Sequence, residues 1–156
     1  MSRELVVVWA GAHKRAAWDE VCARYRQRIG RVTPVREVPV RVRGRGDGPE
    51  RRRAEGEALV AAVPEPVWRV ALDPGGRALD SAAFAAELAR WKRDWPHPIA
   101  FLVGSDLGLD PAVLAAARTV LSLGPMTLSH ELARVVLYEQ LYRAASIEAG
   151  TGYHRG

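Results

Sequence analysis

The chain reads as an α/β domain built on a largely parallel sheet, and two observations predict it. Short apolar runs suited to strands alternate along the whole sequence with longer segments whose apolar residues recur at helical spacing. One of those runs, Ile99 to Val103, is apolar without interruption. That pattern belongs to a strand covered on both faces, which places it centrally.

Leu5 to Trp9 supplies a first strand, ended by Gly11. Lys14 to Ile29 carries Ala17, Val21, Tyr25 and Ile29 on one helical face, and Gly30 closes it. Val35, Val38, Val40 and Val42 mark a second strand, for which Pro34 and Pro39 favour an edge or bent position. A helix from Glu50 to Ala62 starts after Asp47 or Gly48 and is broken by Pro64 and Pro66. Val67 to Leu72 is a third strand, which the turn sequence Asp73-Pro74-Gly75-Gly76 should end. The next helix begins at Asp80 or Ser81, buries Phe84, Leu88 and Trp91, and stops before Pro96. After Ile99 to Val103, Asp110 caps a helix with Pro111 at its first position. Val120 to Leu123 is a short last strand, and Gly124-Pro125 bends the chain towards a final helix from Ser129 or His130 to Ala149.

That final helix is apolar around most of its circumference, through Leu132, Val135, Val136, Leu137, Leu141, Ala144, Ala145 and Ile147. Such a helix is covered on more than one side, by its own domain and by a second subunit. His130 and Arg134 share a face, as do Glu139 and Arg143. The ending Tyr153-His154-Arg155 combines a stacking ring, a group that titrates near neutrality and a phosphate clamp.

Length and composition bound the function. The 156 residues make one domain, residues 1–156, without repeat or linker, and the hydrophobic fraction of 48% and charged fraction of 26% are those of a globular protein. No window approaches a membrane span and Met1-Ser2-Arg3 leads straight into a strand, so a cytoplasmic protein without membrane contact is expected. The single Cys22, between Val21 and Ala23, reads as a small buried side chain. The net charge is +5, and every basic residue but Lys14 and Lys92 is an arginine. Six arginines (Arg41, Arg43, Arg45, Arg51, Arg52, Arg53) stand against Asp47 and Glu50 in one segment centred on Gly44 to Pro49. It reads as a mobile basic loop for a nucleic-acid backbone or as a solvated loop.

Ligands of open parallel sheets bind beyond the carboxyl ends of the strands. Three loops meet that condition: the one after Leu72, Gly104 to Gly108, and Leu123 to Leu128. No dinucleotide or phosphate-loop fingerprint and no Gly-x-Ser-x-Gly elbow is present, and His13, His97, His130, His154 and Cys22 lack metal-ligand spacing, so no metal is expected. A glycine-lined pocket, an arginine patch and no evident nucleophile suit group transfer from a bound donor, with methyl transfer to RNA as one such reaction.

Leu102-Val103-Gly104 with Gly108-Leu109, Leu121-Ser122, Met126-Thr127-Leu128, His130, Arg134-Val135, Glu139 to Ala144 and Tyr153-His154-Arg155 together resemble the ribosomal RNA large subunit methyltransferase H family. The resemblance runs the length of the chain and is most specific from Leu102 onwards. It implies a SPOUT-class α/β knot with a C-terminal trefoil knot, acting as a homodimer. The implied reaction moves a methyl group from S-adenosylmethionine to N3 of a pseudouridine in the helix-69 loop of bacterial 23S rRNA, on the assembled ribosome. By family position Leu72, Gly104, Leu123, Gly124, Pro125, Met126, Thr127 and Leu128 hold the donor, mostly through backbone groups. His154 is the first candidate to remove the N3 proton, with Tyr153 stacking on the base and Arg155 balancing negative charge or holding a phosphate. Arg143 and His130 are candidates for placing the substrate. The chain departs from the family pattern at Ser105, where a second glycine is usual, at Ser129, where a proline is usual, and between Gly11 and Arg15. A related methyltransferase acting on transfer RNA and a non-catalytic ribosome-binding protein are the alternatives.

Overall fold

The computed structural model describes residues 4–11, 16–42, 46 and 48–152. Five strands, β1 (Leu5–Ala10), β2 (Val35–Val40), β3 (Trp68–Ala78), β4 (Ile99–Val103) and β5 (Thr119–Ser122), form one sheet in the order β2-β1-β4-β3-β5. Every pairing is parallel. The apolar β4 holds the middle of the sheet, and the proline-bearing β2 lies at an edge, where Pro39 interrupts no second ladder.

The strand period sorts the core into two layers. Leu5, Val7 and Trp9 of β1 and Ile99, Phe101 and Val103 of β4 face one side, with Cys22, Phe84, Leu88, Trp91, Leu137 and Leu141. Helices α1 (Ala16–Ile29), α3 (Ser81–Asp94) and α5 (His130–Ala149) cover that side. Val6, Val8, Ala10, Ala100 and Leu102 point the other way, onto Leu59 and Val63 beside α2 (Pro49–Ala61) and Val113 of α4 (Pro111–Ala116). The helix starts follow local chemistry. Asp80 accepts from the Ala83 N–H at 2.7 Å, Asp110 from Ala112 at 3.2 Å, and Ser129 from Leu132 at 3.3 Å. Ser129 thus caps its own helix.

One expectation is corrected. The sequence Asp73-Pro74-Gly75-Gly76 does not end β3: the strand leaves its ladder after Leu72 and rejoins it at Arg77, which pairs with Leu121 as Leu72 does. The return is possible because Gly76 lies where a Cβ would meet the Val120 carbonyl carbon and oxygen at 2.6 Å. The Asp73 carboxylate accepts from the Gly75 N–H at 2.9 Å and holds the excursion.

The apolar circumference of α5 is divided. Leu137, Leu141, Ala144 and Ala145 are buried, Val135, Val136 and Ile147 half-buried, and Leu132 is exposed. On the buried side lies Arg134, only 2% exposed. Its guanidinium donates to both Glu37 carboxylate oxygens at 2.8 and 2.6 Å and to Asp19 at 3.0 Å, and stacks on the Trp9 ring at 4.0 Å. Burial opposes the charge, but the Glu37 hydrogen bonds and charge outweigh it and hold the guanidinium pKa above its usual value. The Tyr138 hydroxyl donates to Glu37 at 2.9 Å, and Arg26 donates to Tyr138 at 3.2 Å. Burial raises the pKa of the Cys22 thiol to about 11.

Arg134→Ala leaves Glu37 largely buried without its bidentate partner and should lower the unfolding free energy by about 3 kcal/mol or more. Urea denaturation measures it, and a loss under about 1 kcal/mol would mean the pair contributes as little as a surface one. Cys22 should resist aromatic disulfide reagents at neutral pH in the folded protein and react promptly in denaturant. Stoichiometric labelling of the native chain within minutes would contradict its burial.

Candidate functional site

The loops that follow β4 and β5 and the excursion of β3 after Leu72 meet at one cavity of about 780 Å³. That volume is within the range of small-molecule sites, roughly 300 to 1,000 Å³. The excursion within β3 brings Leu72, Asp73 and Pro74; the loop after β4 brings Gly104, Ser105, Asp106, Gly108 and Leu109; the segment after β5 brings Leu123, Gly124, Met126, Thr127 and Leu128. Ser129, His130, Glu131 and Ala133, at the start of α5, complete the wall. The lining mixes apolar side chains such as Leu72, Val103 and Leu109 with Asp73, Asp106, His130 and Glu131, and Met126 is 81% exposed.

Short-range hydrogen bonds fix each loop. Ser122 Oγ accepts from the Gly124 N–H at 3.0 Å and lies 3.1 Å from the Gly124 carbonyl, which shapes the Leu123-Gly124 turn. The Gly108 N–H donates to the Ser105 carbonyl at 2.9 Å. Gly104 faces that closed loop so tightly that a Cβ there would sit 2.8 Å from the Gly108 carbonyl carbon. His130 is stacked on Trp9, with ring centroids 6.5 Å apart and 27° between planes. Arg134 grips the same indole, so the first turns of α5 are registered on the end of β1.

Of the residues singled out from the sequence, Leu72, Gly104, Leu123, Gly124, Met126, Thr127, Leu128 and His130 come together around the cavity. Pro125 is not among its lining residues, although both its neighbours are. Arg143 stands away from it, paired with Glu139 as the spacing suggests, and Glu139 also accepts from the Tyr25 hydroxyl at 2.8 Å. Tyr153, His154 and Arg155 lie outside the described residues. Among the described residues no group of three or more metal-capable side chains converges, and no helix is long and apolar enough to cross a membrane.

The basic segment is less uniformly basic in space than in sequence. Arg51 pairs with Asp106 at 2.8 Å and with Glu55 at 3.4 Å, and Arg52 lies 3.8 Å from Asp110. Arg43, Arg45 and Asp47 lie outside the described residues. Sequence reasoning missed Glu55, a buried carboxylate on α2 bonded to the Ser105 hydroxyl at 2.6 Å, and Trp9, which backs His130. A signal for Glu55 existed in the adjoining Gly56. A glycine inside a helix weakens it unless close packing requires one, and here a Cβ would meet Val113 Cγ2 at 2.8 Å.

A parallel sheet whose loops gather at one cavity forms a candidate ligand site. Comparison gives the class: residues 3–154 match the family described as Predicted SPOUT methyltransferase. A probable methyltransferase of known structure from Bordetella pertussis Tohama I shares the fold, with a TM-score of 0.56 and 18% identity over 92% of this chain and 96% of its own. The ribosomal RNA large subunit methyltransferase H of Gluconacetobacter diazotrophicus is 46% identical, over 96% of this chain and 95% of its own length. The protein of the same name from Solidesulfovibrio magneticus is 44% identical, over 97% and 99% respectively. The chain therefore belongs to the SPOUT methyltransferases and, within them, to the ribosomal RNA large subunit methyltransferase H family.

Gly104→Ala should force the Gly104 and Gly108 backbones apart at a cost of about 1 to 3 kcal/mol. The expected result is a fall of several degrees in the thermal midpoint. An unchanged midpoint would show that the loop can shift freely.

Proposed function

We propose that this protein transfers a methyl group from S-adenosylmethionine to N3 of a pseudouridine in the helix-69 loop of bacterial 23S ribosomal RNA, on the assembled ribosome and in the cytoplasm. The observation that carries the reading is the cavity between the β3 excursion and the carboxyl ends of β4 and β5, in a chain whose relatives at 44% and 46% identity are named ribosomal RNA large subunit methyltransferase H. Its size and the apolar side chains in its lining suit the donor, with Leu72, Leu123 and Leu128 packing on flat and aliphatic parts. The backbone at Gly104 and from Gly124 through Pro125, Met126 and Thr127 would bind the polar edges. The convergence of the β4 loop, the β5 loop and the start of α5 supports a trefoil knot formed by the C-terminal segment.

When bound, S-adenosylmethionine supplies an electrophilic methyl on a sulfonium, which departs as a neutral thioether. The chain's own part is to present the base and manage one proton. N3 of a pseudouridine carries a hydrogen that has to leave as the N–C bond forms, and His154 takes it. Tyr153 stacks on the base, and Arg155 balances the charge developing on the ring or holds a phosphate. His130, in the cavity wall, helps place the substrate. Arg143 is remote from the cavity of its own subunit and would place substrate only at a subunit interface. A homodimer through α5 and α1 is consistent with the exposure of Leu132 (42%) and Val21 (38%) and with the half-buried Val135, Val136 and Tyr142.

Incubation with ribosomes lacking the modification and isotopically labelled S-adenosylmethionine, followed by mass spectrometric mapping of the RNA, should place one methyl group on that pseudouridine. Label in transfer RNA would reject the substrate, and no calorimetric binding of the donor, with or without ribosomes, would favour a ribosome-binding protein. His154→Ala should slow single-turnover methylation about a hundred-fold or more at saturating ribosomes. A wild-type rate would remove His154 from the proton step.

A further inference from the structure

We propose that Glu55 is a positioning residue for the cavity, setting the conformation of the loop from Gly104 to Leu109 through the hydroxyl of Ser105. The proposal rests on the reading of that cavity as the donor pocket. Glu55 does not line the cavity, whereas Ser105, Asp106, Gly108 and Leu109 do.

The carboxylate is buried, 5% exposed, on a helix whose sequence offers abundant solvent-facing positions for a charge. Burying a carboxylate is costly unless its lone pairs are satisfied, so its partners define its use. Oε1 accepts from the Ser105 hydroxyl at 2.6 Å, and Oε2 lies 3.4 Å from Arg51 Nε. Ser105 Oγ in turn accepts from the Leu107 N–H at 3.3 Å, two residues further along the cavity loop. Arg51 closes the circuit by holding Asp106 at 2.8 Å. One turn of α2 thus grips the loop at Ser105 and Asp106, and Ser105 in turn holds the Leu107 N–H.

Ser105 has little freedom to find another partner. It is 7% exposed, and a Cβ on Gly11, across from it, would stand only 3.0 Å from its own. A glycine at this position would have no hydroxyl to bond. In this chain the serine makes the shape of the loop depend on Glu55. The same circuit ties the cavity to the start of α2, where the basic segment ends.

Three variants, Glu55→Ala, Glu55→Gln and Ser105→Ala, test this by amide hydrogen exchange on the free protein, calorimetry with S-adenosylmethionine and methylation kinetics. In Glu55→Ala and Ser105→Ala, exchange at Leu107 and Gly108 should quicken about ten-fold or more while the amides of β4 keep their protection. Donor affinity should weaken by about ten-fold, appearing in KM for the donor and leaving kcat at saturation within about two-fold. Glu55→Gln keeps an acceptor for Ser105 and should stay within about three-fold of the parent protein in both readouts. Unchanged loop exchange in Ser105→Ala overturns the proposal, as does a uniform rise at all amides, which would mark a structural role alone. Should Glu55→Ala fail to fold, Ser105→Ala, which removes a single oxygen, decides the matter. If the loop loosens as expected but the parent protein binds no S-adenosylmethionine, the positioning role holds and the donor reading falls.

Discussion

The Arg134 guanidinium joins parts of the chain that are far apart in sequence, and the placement of the site depends on it. Its partners, Glu37 on β2 and Asp19 on α1, are 97 and 115 residues away. The indole beneath it belongs to the end of β1. Removing a guanidinium and a carboxylate from water costs several kcal/mol for each, and only bidentate geometry with further hydrogen bonds offsets that. Glu37 meets the condition through two Arg134 contacts and the Tyr138 hydroxyl. A displaced α5 would part Arg134 from Glu37 and leave that largely buried carboxylate with Arg26, 3.3 Å away, as its remaining cation, so the cluster penalises other registers of the helix.

From this constraint follows the shape of the cavity. The start of α5 contributes Ser129, His130, Glu131 and Ala133 to the wall, and the preceding segment contributes Leu123, Gly124, Met126, Thr127 and Leu128. With Arg134 and His130 both on Trp9, one turn of α5 is referred directly to the strand next to β4. On the opposite side the loop after β4 is held from α2 by Glu55 and Arg51. The two helical layers therefore each fix one wall, and the sheet sets the distance between them. A preformed pocket of this kind lets binding energy go into aligning reactants rather than ordering loops.

Signals in the sequence were sufficient wherever their cause was local. Ser129, Asp80 and Asp110 cap their own helices, and the apolar run of β4 needs both faces covered wherever the strand lies. The three loops of the site were legible for the same reason, since parallel strands carry their ligands at one end. Features set by distant partners were not. The resumption of β3 at Arg77 depends on Gly76 meeting the Val120 backbone, which no property of Asp73 to Gly76 reveals. Arg134 is recognisable as a neighbour of His130 by spacing, but its burial is decided by Glu37 and Asp19. Arg143 shows the opposite limit, because spacing correctly pairs it with Glu139 without saying that the pair stands away from the cavity.

Charge illustrates why position outweighs composition in this molecule. Arg118 is spread over the Trp68 and Trp95 rings, 4.2 and 5.0 Å from their centroids, beside the start of β3. Arg134 is consumed in the core, Arg51 holds the cavity loop, and Arg69 and Arg77 are paired with Glu65 and Glu87. Each of these side chains counts towards the net charge of +5 while its guanidinium is already engaged. An anionic polymer would have to displace a carboxylate or an indole to recruit them, at the cost of those contacts. The arginine total is therefore an upper bound on the positive charge free to meet an anionic polymer.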